Sequence, residues 1–171
     1  MEASEGFPPV ARPDARVLVL GSLPGIASIA AGEYYAHPRN SFWRIMQELF
    51  GIAGDYDERC TRLSDCRLAL WDVLRASVRR GSLDADIQRA SASANDFGLF
   101  LRAHESIEVV GFNGKKAEQL FRAMVPKEHY QHVRLVGLPS TSPAYAAMSF
   151  ADKLSSWAAG LDTGTNNQRG K

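Results

Sequence analysis

Apolar residues follow two rhythms along this chain. Short continuous runs at 17–20 (VLVL), 107–110 (IEVV) and 133–136 (VRLV) predict strands buried in a sheet. A fourth run, 68–74 (LALWDVL), is apolar apart from Asp72 and predicts another. Elsewhere the spacing switches to threes and fours. Phe42, Ile45, Met46, Leu49 and Phe50 predict an amphipathic helix that Gly51 ends, with Asn40 or Ser41 as its N-cap. Helical turns or short helices are predicted at 26–33 and 55–63, and helices at 93–103, 115–124 and 150–159. Asp96 stands near the start of the helix at 93–103, with Phe97, Phe100 and Leu101 on one face. Residues 76–86 are polar and broken by Gly81. Strands alternating with helices argue for an α/β fold with a mainly parallel sheet. No repeat, linker or low-complexity block divides the chain, so one domain is expected over 15–160, with a disordered lead-in at 1–14 and a disordered tail at 161–171.

In such sheets ligands bind beyond the carboxyl ends of the strands. Four turns qualify: GSLPG at 21–25, the Trp71–Asp72 region, FNGKK at 112–116 and LPSTSPAY at 138–145. The stretch 21–43 draws attention first, because two tyrosines, a histidine, an arginine and an asparagine crowd between a strand and a helix. GSLPG lacks the spacing and the Lys-Ser/Thr of a phosphate loop and is not GxGxxG. It is either a plain tight turn or a place where glycines admit a ligand close to the backbone. His37 is a general base, a phosphate contact or a turn residue. Asn40 is a helix cap or an amide that orients a water or a base edge, since it both donates and accepts. Asp72, in an apolar run, must be paired, or else it reads a ligand's N–H groups. Lys115 or Lys116, at a helix start, is solvated or meets a phosphate. The hydroxyls and N–H groups of PSTSP form a turn or contact phosphate oxygens.

Composition narrows this picture modestly. With 45% hydrophobic and 23% charged residues the chain is ordinary for a soluble globular protein. No apolar run approaches the ~20 residues of a membrane span, and no signal core precedes the domain. A soluble cytoplasmic protein with no membrane partner is expected. The two cysteines, Cys60 and Cys66, cannot supply a four-thiolate site, and the histidines show no metal spacing, so neither a metal nor a cofactor is expected. The net charge of +1 neither demands nor forbids a nucleic-acid partner, because a small footprint needs only local charge.

Taken together, GSLPG, YYAHPRNSFW (34–43), ALWDVL (69–74), GSLDADI (81–87), GFNGKKA (111–117) and PSTSPAYA (139–146) resemble the uracil-DNA glycosylase superfamily, and within it the hypoxanthine-DNA glycosylase branch. The resemblance covers residues 17–157. It implies a single-domain, three-layer α/β/α fold around a mainly parallel four-stranded sheet. It also implies a monofunctional, monomeric enzyme that hydrolyses the N-glycosidic bond of a deaminated base in DNA, chiefly hypoxanthine. Other branches place an Asp or Asn at the third position of the first motif to activate water. Here that residue is Leu23, and Leu138 stands where some branches carry a histidine before the second motif. The resemblance transfers the catalytic role to Asn40. It implies a base pocket of Gly21, Ser22, Leu23, Tyr35, Trp71, Asp72, Phe112 and Asn113, with Trp71 or Phe112 stacking on the ring. DNA contacts would fall to Pro24, Gly25, His37, Arg39, Lys115, Ser140, Thr141, Ser142 and Tyr145, with Tyr145 or Met148 as the wedge. Two alternatives share these residues: a module that binds damaged DNA or a nucleotide without cutting, and a small-molecule α/β enzyme.

Overall fold

The structure, a computed structural model, describes residues 3–79, 81 and 83–163. Four parallel strands form its centre: β2 (Val17–Gly21), β3 (Leu68–Asp72), β6 (Val109–Asn113) and β7 (Arg134–Leu138), in the spatial order β3-β2-β6-β7. Both faces of β2, β3 and β6 are covered, which is why these strands are near-continuously apolar rather than alternating, whereas the edge strand β7 starts at the exposed Arg134. Alternate residues of β2 serve different layers. Leu18 and Leu20 join Ala69, Val110 and Phe112 in one core, closed by α4 (Phe97–Ala103) and α5 (Lys115–Met124). Val17 and Val19 join Leu68, Leu70 and Val109 in the other, closed by α2 (Phe42–Phe50), α3 (Tyr56–Asp65) and α6 (Phe150–Gly160). This is the expected three-layer arrangement. A short helix, α1 (Ile26–Ala31), follows β2.

Local chemistry sets several boundaries. Gly51 adopts φ +67° and ends α2 in the left-handed conformation that glycine reaches without a Cβ penalty. Asp55, Asp96 and Ser149 cap α3, α4 and α6 by accepting from the N–H groups of Glu58, Leu99 and Asp152. The helix expected over 93–103 therefore starts later. Ser93–Ala94 instead forms β5, the edge of a small antiparallel sheet with β4 (Leu74–Ser77) and β1 (Ser4–Glu5). The run at 68–74 is accordingly two strands, broken at Val73.

The lead-in is not disordered over its described part. Ser4 and Glu5 pair with Ser77 and Ala76, and Val10 bridges Leu70. Phe7 O accepts from Trp71 Nε1 at 3.1 Å, and Pro8 O accepts from the Tyr34 hydroxyl at 2.9 Å. Most of the expected tail lies outside the described residues, but Leu161 is buried against the second core. No described helix is long and apolar enough to cross a membrane.

Candidate active site

A cavity of about 630 Å³ opens beyond the carboxyl ends of β2, β3 and β6. Its volume suits a small organic ligand. Gly21–Gly25 forms one wall, the polar stretch from Tyr34 to Asn40 a second, and the Ser140–Tyr145 loop a third. Leu83, Asp84 and Ala85 close the remaining side.

Strand register decides which expected residues reach this cavity. Leu20 pairs with both Trp71 and Phe112, and all three side chains enter the α4/α5 core. Trp71 packs on Phe97 and Phe100 at ring separations of 5.2 and 4.8 Å, and Phe112 packs on Phe121 at 5.2 Å. Neither ring lines the cavity, so the expected base stacking by Trp71 or Phe112 is corrected here. One residue further along each strand, Gly21, Asp72 and Asn113 do line it, because side chains alternate faces. Leu23 also lines the cavity, but its side chain belongs to the core and carries no group able to activate water.

Asp72 is the least compensated charge in the site. It is buried, and its Oδ2 has no hydrogen-bond partner among the described residues. Burial, reinforced by nearby Asp84, raises its pKa to about 7, while the Arg79 guanidinium opposes the rise. Arg79 is itself buried. It donates to Leu23 O and Pro24 O and lies 3.9 Å from Asp84, whose carboxylate accepts from Ser22 Oγ. These contacts fasten the GSLPG turn to the segment carrying Asp84.

The folded pKa of Asp72 lies above its ordinary value of 3.8, so the native state binds the proton more tightly than the unfolded chain. Ionisation therefore costs stability progressively from about pH 4 to about pH 7 and uniformly above. Asp72→Asn removes that cost. Its melting temperature is expected to exceed the parent's by more at pH 8 than at pH 5. The difference should correspond to a few kcal/mol, at about 1.4 kcal/mol per pKa unit. An advantage that does not change with pH would mean the carboxyl is not held in this way.

Tyr35 meets Asp72 across Gly21. A Cβ built on Gly21 would lie 2.5 Å from Asp72 Oδ1 and 2.9 Å from the Tyr35 hydroxyl, so any larger residue forces these side chains to shift. Tyr35 has φ +55°, a costly conformation for a non-glycine residue. Its neighbours hold it there. Tyr34 N–H donates to Tyr56 Oη, Trp43 Nε1 donates to Tyr34 O, and Ala36 N–H donates to Ser28 Oγ. The Tyr35 hydroxyl is buried, with the Asn113 amide beside it and no well-formed hydrogen bond among the described residues. Burial and the charge of Asp72 raise its pKa, while the Asn113 amide beside it works the other way.

Asn40 stands half-buried at the mouth. Its Oδ1 accepts from Phe42 N–H at 3.0 Å, turning the chain into α2. Ser41 occupies the cap position of α2 without a side-chain cap bond, and Asn40, one residue before it, holds the N–H of the first helical residue instead. The amide nitrogen has no protein partner among the described residues, so both of its hydrogens are available to a ligand. His37 and Arg39 are exposed beside it, with His37 Nδ1 accepting from Arg39 N–H.

The second loop is held from below. Asn113 Nδ2 donates to Thr141 Oγ1, and Thr141 N–H donates back to Asn113 Oδ1, each at 2.9 Å. Thr141 O accepts from Ser41 N–H, joining this loop to the start of α2. The N–H of Ser142 is taken by Ser140 Oγ, and that of Ala144 by Ser142 Oγ. The expectation that the N–H groups of residues 140–142 hold phosphates is thus corrected for Thr141 and Ser142. The hydroxyl hydrogens of Ser140 and Ser142 remain for that task. Lys115 is exposed at the start of α5 and does not line the cavity.

Tyr34, Ser28, Arg79 and Asp84 enter the site without having been singled out in the sequence as site residues. Ser28 looks like any small helix residue. Arg79 carries no signal beyond lying in a polar segment, whereas Asp84 falls within GSLDADI, one of the stretches that carry the resemblance. Helix α6 also contributes: Trp157 Nε1 donates to Pro139 O at 2.9 Å, and the buried Lys153 Nζ donates to Tyr145 O at 2.8 Å. Lys153 Nζ lies 5.2 Å from the centre of the Tyr145 ring.

Comparison with known proteins agrees with this geometry. The uracil DNA glycosylase superfamily model matches residues 8–159. A hypoxanthine DNA glycosylase of Methanosarcina barkeri (strain Fusaro / DSM 804) is 37% identical over 126 residues, covering 70% of this chain and 78% of that protein. One from Methanosarcina acetivorans is 36% identical over 125 residues, with the same coverage. A candidate uracil DNA glycosylase from Methanosarcina acetivorans, solved by NMR in solution, superimposes with a TM-score of 0.76 at 32% identity, covering 92% of this chain and 96% of that one. With its first loop, its HPRN turn and its second loop all facing one cavity, the chain belongs to the uracil DNA glycosylase superfamily.

Proposed function

We propose that the protein is a DNA base-excision glycosylase that hydrolyses the N-glycosidic bond of a deaminated base, chiefly hypoxanthine, and leaves an abasic site. The observation that carries this reading is Asn40 at the rim of a base-sized cavity, its amide oxygen held by Phe42 N–H and its nitrogen without a protein partner among the described residues. Bond cleavage puts positive charge on the sugar and negative charge on the departing base. A donor fixed where that negative charge develops lowers the barrier without a strong nucleophile. The target base must leave the helical stack, which costs least when it is mispaired. His37, Arg39 and the hydroxyls of Ser140 and Ser142 flank the mouth, where the phosphates of an extruded nucleotide would lie. Tyr145, 40% exposed on the rim, is the wedge candidate better placed than the half-buried Met148.

The kinship with hypoxanthine DNA glycosylases supports the substrate. Incubation with oligonucleotides carrying hypoxanthine or uracil, then alkali and gel electrophoresis, tests it. Strand breaks at hypoxanthine, with far fewer at uracil, are expected. Intact strands at enzyme excess, together with retained binding, would replace this reading with that of a damage-binding module.

A further inference from the structure

We infer that Lys153 is the positioning residue for Tyr145, holding its main chain and its ring so that this side chain is aimed at the gap an extruded base leaves in the duplex. The inference rests on the glycosylase reading, in which Tyr145 is the wedge candidate.

Lys153 stands where a cation is disfavoured on three counts. It is 6% exposed, and lysine is rarely buried so fully without a partner of opposite charge. No carboxylate forms an ion pair with it among the described residues, and burial pushes its pKa down with nothing offsetting the fall. It is also the fourth residue of α6, near the end where the helix dipole opposes a positive charge. A methionine would fill the same space without these penalties.

The group this ammonium serves is Tyr145. Lys153 Nζ donates to Tyr145 O at 2.8 Å and lies 5.2 Å from the centre of its ring. The other backbone group of Tyr145 is held as well, its N–H donating to Ser142 O at 3.0 Å. Both ends of the residue are thereby fixed while its side chain stays exposed. Little else steadies that ring. Its neighbours Ala144, Ala146 and Ala147 are exposed and too small to buttress it. No other aromatic ring or cation packs on it among the described residues.

The chemistry explains why the residue is a lysine. A carbonyl accepts more strongly from an ammonium than from a neutral donor. The same charge is attracted to the face of a phenol ring. One cation thus restrains main chain and side chain together. A wedge has to hold its direction while the extruded base tends to restack. Restraint already present in the free protein is ordering that need not be imposed when DNA binds.

The test follows 2-aminopurine fluorescence in a duplex that carries the probe next to hypoxanthine, on mixing with excess full chain. The probe brightens when its stacked neighbour leaves. The parent should give a rise, and Lys153→Met should reduce its extent ~10-fold while the melting temperature stays the same or increases. Tyr145→Ala should reduce the rise by as much, and the double variant no further, because the two residues act as one unit. A parental rise in Lys153→Met, or additive losses in the double variant, would overturn the inference. So would a melting temperature that falls along with the fluorescence, which would make Lys153 a scaffold residue, or the absence of any rise with the parent. Alkali treatment and electrophoresis of the same duplex keep the two readings apart. A parental rise without strand breaks at hypoxanthine would overturn the glycosylase reading and leave the role of Lys153 standing.

Discussion

Asn40→Asp is expected to slow base excision by about 10²–10³-fold, the range seen when one preorganised donor is lost from a charge-stabilising site. The melting temperature should stay within about 2–4 °C of the parent's, which is the shift that ~1 kcal/mol produces in a chain of this size. The substitution separates the two ends of the side chain. A carboxylate oxygen still accepts from Phe42 N–H, and its charge at the start of α2 is favourable. Both amide hydrogens are lost, and a negative charge would face a departing base that is itself becoming negative. Asn40→Ala should lose a similar factor in rate and about 1 kcal/mol of stability besides, because the hydrogen bond from Phe42 N–H goes too. Single-turnover excision and thermal melts on both variants make the comparison. An aspartate variant within tenfold of the parental rate would take Asn40 out of the chemistry and leave it as a turn residue that holds Phe42 N–H.

Gly21→Ala should be more damaging to the pocket than any single side-chain truncation in it. The backbone at Gly21 is ordinary strand, so the difficulty is space. The new methyl would sit 2.5 Å from Asp72 Oδ1 and 2.9 Å from the Tyr35 hydroxyl, both buried. Overpacking of this kind costs about 1–3 kcal/mol. Displacing Asp72 and Tyr35 should also abolish measurable excision. The clash makes a second, sharper prediction: Gly21→Ala and Asp72→Ala should be non-additive, since removing the carboxylate makes room for the methyl. Urea melts of the two single variants and the double variant would show stability recovered in the double while activity stays absent. Parental stability and activity in Gly21→Ala would mean that Asp72 and Tyr35 do not pack against this backbone.

Much of this architecture was legible in the sequence because period and punctuation agreed. The helix at 115–124 and the α2 helix ending at Gly51 appear where spacing and glycine placed them. The misses have physical causes. Trp71 and Phe112 seemed suited to stacking because they are aromatic and adjoin polar residues. Strand alternation gives a residue and its neighbour opposite faces, so Asp72 and Asn113 reach the cavity only if the two rings do not. The lead-in looked disordered because many of its contacts are made by backbone groups, such as the carbonyls of Phe7 and Pro8, which any residue supplies, while its one aromatic anchor, Phe7 against Tyr34, carries no periodic signal. Arg79 and Asp84 lie outside any periodic element, and only the folded chain brings them to GSLPG. For Asn40 both readings were visible, and the structure accounts for the oxygen end of the amide, which holds Phe42 N–H just before α2.

The loop from Pro139 to Tyr145 is fastened near each end to a single helix, by Trp157 at Pro139 and by Lys153 at Tyr145. Mechanically it is a bridge with both abutments on α6. A load applied to its span by a bent DNA backbone would pass into the helix, and from Trp157 into the aromatic packing around Phe42, where the ring centres lie 5.9 Å apart. Phe42 follows the residue whose N–H anchors Thr141, and its own N–H is held by Asn40. The path of force from the outer rim therefore leads back to the amide at the mouth, so the stiffness of α6 bears on how firmly Asn40 is aimed.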